Sequence, residues 1–248
     1  MRVQLLSDLH LEFEEYHYHD SGSDVLVLAG DIHVKEKGIK WALQHIRNKP
    51  VIYVLGNHEF YGKAYPKHIG TLRELCQNSN VHLLENEFVS IDGVNFLGAT
   101  LWTDFELYGD PRLHGASCQS EMTDYKKIKI SPQYRKLRSI DVSAIHRRSL
   151  TWLESTLESL EGQSNVVVTH HGPSELSVPE MYKGQTITSA YVSNLETTIL
   201  KYQPVAWCHG HLHNSSNYRL GNCSVYCNPK GYPDELNSQF DSEFEFIV

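Results

Sequence analysis

Seven side chains of the kinds that hold divalent metal ions, and one further histidine, stand just past five short apolar runs. Asp8 and His10 follow Val3-Gln4-Leu5-Leu6, and Asp31 follows Val25-Leu26-Val27-Leu28-Ala29. Asn57 and His58 follow Val51-Ile52-Tyr53-Val54-Leu55, and His170 follows Val166-Val167-Val168-Thr169. His211 and His213 follow Val205-Ala206-Trp207-Cys208. Carboxylate, imidazole and amide donors without cysteine suit hard or borderline ions such as Mn²⁺, Fe²⁺/Fe³⁺, Zn²⁺ or Ni²⁺. Seven donors exceed what one catalytic ion with an open position uses. They match two ions sharing a bridging carboxylate at about 3.5–4 Å.

Taken singly, each motif has a plainer reading. Asp-x-His matches often occur by chance, His58 could open a helix, His170-His171 could be a polar loop, and His211 with His213 could belong to a histidine-rich surface among 15 histidines. Order and context favour one cluster. Runs of this length rich in β-branched residues read as buried strands, and ligands of open α/β sheets gather beyond the strands' carboxyl ends. Asp8-Leu9-His10 and His211-Leu212-His213 place donors two apart. In extended backbone such side chains point the same way, so each pair is expected to reach one site. Gly30, Gly56 and Gly210 precede donors and leave room for close backbone approach.

The elements that must position these residues follow from periodicity. Ile39, Ala42, Leu43 and Ile46 recur at helical spacing before Pro50. A second helix is expected over 63–77, with Leu72, Leu75 and Cys76 facing inward. Phe88–Ile91 and Val94–Leu97 flank Asp92-Gly93, and Asn217–Leu220 and Cys223–Tyr226 flank Gly221-Asn222, both hairpin signals. Phe244–Val248 reads as a closing strand. Alternating strands and helices joined to hairpins imply two sheets face to face with helices outside. Residues 104–145 lack this regularity and form an expected cap or insert in an otherwise single domain of residues 1–248. The stretch from 126 to 148 carries Lys126, Lys127, Lys129, Arg135, Lys136, Arg138, Arg147 and Arg148 against one acid, Asp141. That charge is either a solvated helix face or a lid that attracts an anionic substrate.

Composition bounds the function. The 248 residues are 40% hydrophobic and 21% charged, with a net charge of -8, which disfavours a broad nucleic-acid-binding face. Five scattered cysteines show no C-x-x-C pair and read as free thiols in a reducing compartment. No signal-peptide core or membrane-length apolar run is visible. A cytoplasmic protein with no membrane partner is expected.

Asp8-x-His10, Gly30-Asp31, Gly56-Asn57-His58-Glu59, His170 and Gly210-His211-x-His213 together resemble the signature of the calcineurin-like metallophosphoesterases. The signature spans residues 8 to 213, with every motif intact. The resemblance implies a four-layer α/β/β/α sandwich of two mixed sheets flanked by helices. It implies that Asp8, His10, Asp31 and His213 hold one divalent ion, that Asp31, Asn57, His170 and His211 hold a second, and that Asp31 bridges them. His58 would stand near the leaving group as the catalytic side chain. Protein phosphatases of this superfamily carry Gly-Asp-x-x-Asp-Arg-Gly, whereas Gly30-Asp31 continues Ile32-His33-Val34-Lys35, so their phosphate-gripping arginine is missing. The chain looks closer to a small, bacterial-type phosphodiesterase-like branch, which Thr100–Asp104, Met122–Lys126 and Asn228–Tyr232 also resemble.

The expected activity is hydrolysis of a small phosphodiester, with some monoesterase activity. Attack would come from a hydroxide bridging the two ions, without a phosphoenzyme, and His58 would protonate the leaving alcohol. Lys126, Arg148 and Lys230 are candidates for contacting substrate phosphate, and Tyr125 and Tyr232 for packing its organic part. Rival readings are a DNA or RNA nuclease, which the acidic balance disfavours, and a ligand-depleted binding scaffold, which the intact donors disfavour. A metallo-β-lactamase-type motif is absent. The expected partner is a small phosphoester, and the number of subunits is left open.

Overall fold

The computed structural model describes residues 1–248. In chain order the first half contains β1 (Arg2–Leu6), β2 (Val25–Ala29), α1 (Lys37–His45), β3 (Val51–Val54), β4 (Ala64–Tyr65), α2 (Lys67–Cys76), β5 (Val81–Leu83), β6 (Glu87–Ile91) and β7 (Val94–Ala99). Then come α3 (Pro111–Glu121), α4 (Asp124–Lys127), β8 (Lys129–Ile130), β9 (Arg135–Lys136), α5 (Ser139–Ser159) and β10 (Ser164–Thr169). The chain ends with α6 (Glu196–Tyr202), β11 (Ala206–His209), β12 (Ser216–Leu220), β13 (Cys223–Cys227), β14 (Gly231–Tyr232), β15 (Glu235–Leu236) and β16 (Glu245–Ile247).

Two mixed sheets dominate. One has the order β16-β1-β2-β3-β5 and the other β12-β13-β11-β10-β7-β6. The central pairs are parallel, while β16, β12 and β6 run antiparallel at the edges. Alternation along each strand builds the layers. Val25, Val27, Ile52 and Val54 pack inward against Phe96, Val166, Val168 and Cys208 of the facing sheet. Leu26, Leu28, Val51 and Tyr53 turn outward under α1 and α2, and Val167, Trp207 and Val225 turn outward under α5 and α6. These strands are buried on both faces, so they read as unbroken apolar runs; each fully buried Val, Leu or Ile contributes about 1.5–3 kcal/mol. The result is a four-layer α/β/β/α sandwich.

Four expectations need correction. The segment expected as one helix over 63–77 starts with β4, and helix α2 follows Pro66, which suits a helix start better than an interior. Leu75 on α2 is exposed, leaving Leu72 and Ile69 to face inward. Residues 104–145, expected to lack regular spacing, contain α3, which begins after Gly109: the Asp110 side chain accepts from Arg112 N and Leu113 N, and Pro111 sits in the first turn. Position 145 falls inside α5, whose Val142, Ile145, Ser149, Leu153 and Thr156 form one buried stripe. All five cysteines are free, and four are buried.

Candidate metal centre

All seven donors and His58 converge where the carboxyl ends of β1, β2, β3, β10 and β11 meet. Extended backbone does not bring them there. Asp8, His10, Asp31, His211 and His213 have left-handed backbone, at φ of 50°, 46°, 53°, 70° and 53°. Such conformations cost on the order of 1–3 kcal/mol each for residues other than glycine. The expectation that alternate side chains of a straight strand end carry the paired donors is therefore replaced by turns that swing each donor inward. Neighbouring loops hold those turns: Asp8 N donates to Gly30 O at 3.0 Å, His10 N to Asp31 O at 3.1 Å, and His211 N to Asp8 Oδ2 at 3.0 Å. The glycines behave as expected. A Cβ on Gly30 would lie 2.3 Å from the His170 ring, and one on Gly56 would lie 2.0 Å from Asp31 Oδ1.

The donor atoms fall into interlocking groups. His170 Nε2 lies 3.1 Å from Asn57 Oδ1, 3.1 Å from His211 Nδ1 and 3.5 Å from Asp31 Oδ2. His10 Nε2 lies 3.0 Å from His213 Nε2 and 3.9 Å from Asp31 Oδ2, and His213 Nε2 is 3.5 Å from Asp8 Oδ1. Asp31 shares one group with His170 and His211 and another with His10 and His58, and His10 links the latter to Asp8 and His213. With metal–ligand bonds of about 2.0–2.2 Å, tetrahedral and octahedral edges run from about 3.0 to 3.5 Å, a range that holds every one of these spacings except the 3.9 Å between His10 and Asp31. The ring tautomers fit as well. His170 Nδ1 donates to Ala29 O at 3.0 Å and His10 Nδ1 faces Glu12 Oε1 at 3.3 Å, which leaves both Nε2 lone pairs for a cation.

Burial alone would raise the Asp31 and Asp8 carboxyl pKa values. The surrounding histidines hold both below the usual carboxylate range, chiefly His58 and His170 for Asp31 and His213 and His170 for Asp8. His58 stands beside this cluster, its Nε2 3.8 Å from Asp31 Oδ2 and its Nδ1 2.6 Å from Glu12 Oε1. Burial would lower the His58 pKa, but the charges of Asp31 and Glu12 raise it to about 9. A bound dication would oppose that rise.

Three carboxylates that the donor pattern did not single out wire the site. Glu12 contacts His10, His33 and His58. Burial pushes its carboxyl up, and the hydrogen bonds to the three histidines outweigh that, so the net shift is downward. Glu59 accepts from Asp31 N (3.2 Å), Ile32 N (3.0 Å), Gly56 N (2.9 Å) and Tyr53 Oη (2.9 Å), tying the loop after β2 to the loop after β3. Asp124 Oδ1 accepts from Asn57 Nδ2 at 2.9 Å and from Tyr61 Oη at 2.8 Å, which turns the Asn57 carbonyl towards His170. Glu12 had a usable signal, two residues beyond His10 in the same turn, and Asp124 lies within the quoted Met122–Lys126 stretch.

A cavity of about 470 Å³ opens above the cluster, lined by Asp31, Asn57, His58, His211 and His213 in its floor. Of the five substrate-contact candidates, only Tyr232 reaches it, with its Oη 3.1 Å from His58 Nε2. Tyr125 is buried in the core under the first sheet. Lys126 is exposed, its Nζ donating to Glu121 O at 3.3 Å. Arg148 lines a separate depression with Tyr65, Asp141 and Trp152. Lys230 Nζ is bound to Glu14 Oε2 at 2.8 Å. The basic stretch is thus not a lid over the site; of residues 104–145 only Glu121, Met122, Thr123 and Asp124 line the cavity. Much of the opposite wall comes from 178–191, a segment of short turns that periodicity had not singled out.

Strand ends bearing interlocked donor groups beneath an open cavity have the arrangement that the signature implies. The chain belongs to the calcineurin-like phosphoesterase family, whose model matches residues 1–215. It is 26% identical over 271 residues to the uncharacterized protein L509 of Acanthamoeba polyphaga mimivirus, covering 96% of this chain and 94% of that one. Among solved structures, the phosphopantetheinyl hydrolase of Mycobacterium tuberculosis superimposes with a TM-score of 0.74 at 20% identity, covering 94% of this chain and 90% of that one. A dimetal phosphatase from Danio rerio does so with a TM-score of 0.53 at 12% identity, covering 91% and 86%. At these identities the two structures show a shared fold. No helix is long and apolar enough to cross a membrane.

Proposed function

We propose that this phosphoester hydrolase is a two-metal phosphodiesterase, with weaker action on monoesters. One observation carries the reading: at the cavity floor Asp31 lies between His170 and His211 on one side and His10 and His58 on the other, with His10 also grouped with Asp8 and His213. Asp8, His10, Asp31 and His213 would hold one ion, and Asp31, Asn57, His170 and His211 the other. When bound, such ions supply Lewis acidity, acidify water near neutral pH and neutralise phosphate charge.

The chain's own groups do the rest. Left-handed turns and the Glu59 bonds fix the donors before substrate arrives, so little reorganisation accompanies the reaction. Glu12 holds the His58 ring through Nδ1 and leaves Nε2 directed at the cavity. A leaving oxygen near the point now taken by Tyr232 Oη would lie within hydrogen-bonding reach of His58 Nε2, which would deliver its proton there. No lysine or arginine of the chain lines the cavity to clamp a dianionic phosphoryl group, which favours the singly charged diester over the monoester.

The test is reconstitution of metal-stripped protein with Mn²⁺, Zn²⁺ or Fe²⁺, followed by a panel of mono-, di- and cyclic esters. A phosphopantetheinyl diester belongs on that panel, on the printed name of the Mycobacterium neighbour. Turnover of bis-nitrophenyl phosphate above that of nitrophenyl phosphate, lost on chelation, is expected. Equal activity with and without chelator would sink the two-metal reading.

A further inference from the structure

Twenty residues line the cavity over the donors, and none of them is lysine or arginine. Asp31 and Asp124 lie in its depths, and Glu121 and Glu235 stand exposed at its rim. Between them the wall is phenolic and aliphatic, with Tyr182, Tyr191, Tyr232, Met122, Val178 and Ile187. Cations near in sequence are engaged elsewhere. Lys230 Nζ is bound to Glu14 and Lys183 Nζ to Glu180, each at 2.8 Å. Lys127 Nζ sits 4.7 Å from the centroid of the Tyr61 ring and is not part of the cavity wall.

Away from the donor floor, a second phosphate or carboxylate on a substrate would meet no lysine or arginine and would exchange water for neutral hydroxyl and amide donors alone. It would also share the cavity with the carboxyl groups of Glu121, Asp124 and Glu235. An uncharged arm gains apolar contact instead, and a cationic arm meets aromatic faces and carboxylates. We infer that the site selects phosphoesters whose scissile phosphate is their only negative group, on an organic arm that is uncharged or cationic. The inference deepens the phosphodiesterase reading and rests on it for the reaction. It places nucleoside di- and triphosphates and nucleic-acid strands outside the substrate class, because their neighbouring phosphates would lie along this wall.

The experiment uses four nitrophenyl alkyl phosphodiesters of equal chain length, ending in hydroxyl, trimethylammonium, carboxylate or phosphate, with the Mn²⁺-loaded protein. Dialkylphosphinates bearing the same four arms, which have no ester to cleave, are measured by calorimetry in parallel. Hydroxyl and trimethylammonium arms should exceed the two anionic arms by at least about tenfold in kcat/KM, with the same order among phosphinate affinities. Glu121→Lys combined with Glu235→Lys should raise the ratio of carboxylate-arm to hydroxyl-arm kcat/KM by about fivefold or more. Anionic arms turned over or bound as well as the hydroxyl arm would overturn the inference. Phosphinates bound in the expected order with no ester hydrolysed would instead sink the phosphodiesterase reading and leave the charge selection standing.

Discussion

The floor and the wall of the cavity are built in opposite ways. The floor is the ends of five buried strands: six of its seven donors are buried, most are fixed through both backbone and side chain, and five of them hold left-handed backbone. The wall comes from the ends of short helices and from turns between 121 and 124, 178 and 191, and 231 and 235, with Glu121, Tyr182 and Glu235 exposed. Strain at the floor persists because the sandwich around it over-determines those turns. The wall has few such constraints. The proposed chemistry is therefore lodged in the more tightly bonded part of the molecule, and the proposed substrate selection in the part that varies at small cost.

The hardest way to break that contrast is to remove the shared donor. Asp31→Asn should lose at least one of two bound ions by elemental analysis and at least about 10³-fold in kcat/KM, since several kcal/mol of Lewis-acid stabilisation go with it. Retention of both ions with near-normal turnover would show that the two donor groups do not act as one centre. Next comes His58→Ala. It should keep its metal and lose about 10²-fold or more on alkyl leaving groups, and markedly less on nitrophenyl esters, which leave without a proton. Equal losses on both would remove the proton-donor role.

A finer cut separates the floor from the groups that steady it. Asp124→Ala frees the Asn57 amide to rotate and should weaken metal affinity by about 10–100-fold, as loss of a partner behind a metal ligand does. Asp124→Asn still presents an oxygen to Asn57 Nδ2 and Tyr61 Oη, so it should recover most of that affinity. Metal titration followed by calorimetry reads both variants, and identical behaviour would mean that Asp124 merely fills space.

This contrast also explains what could be read in the sequence. The five strands were legible because strands covered on both faces must be apolar throughout, and the donors were legible because each follows one directly. Both hairpins and β16 lie where their turn residues and alternation placed them. The local geometry of the donors was not legible: nothing in Asp8-Leu9-His10 distinguishes a straight strand end from a left-handed turn. The wall carries no periodicity, so Tyr182, Tyr191 and Glu235 could not be found before the fold brought them together. The lysines and arginines of 126–148 drew attention as charge, yet Arg135 is spent on Asp141 at 2.5 Å and Arg148 lies by a different depression. Local charge density says how a segment is solvated, and says little about which face of the fold it occupies.

The mildest test concerns the scaffold behind the floor. Glu85, between β5 and β6, is buried and accepts from Thr100 N at 2.8 Å and Thr100 Oγ1 at 2.7 Å, while its Oε1 has no partner. Burial raises its pKa to about 7 from 4.5, more than the Thr100 bonds lower it. The folded chain therefore keeps this proton to higher pH than the unfolded chain does. The stability it contributes is complete below about pH 4.5 and is lost as pH rises through about 7, by up to about 3 kcal/mol. Glu85→Gln keeps an acceptor for Thr100 and cannot ionise. In urea unfolding at pH 5, 6, 7 and 8, the stability of the variant relative to the parent should therefore climb with pH, while kcat/KM at pH 7 stays within about twofold. A difference in stability that did not change with pH would mean that Glu85 is charged in the fold throughout that range. A large loss of turnover would mean that the wiring of the floor extends further into the scaffold than the contacts of Glu12, Glu59 and Asp124.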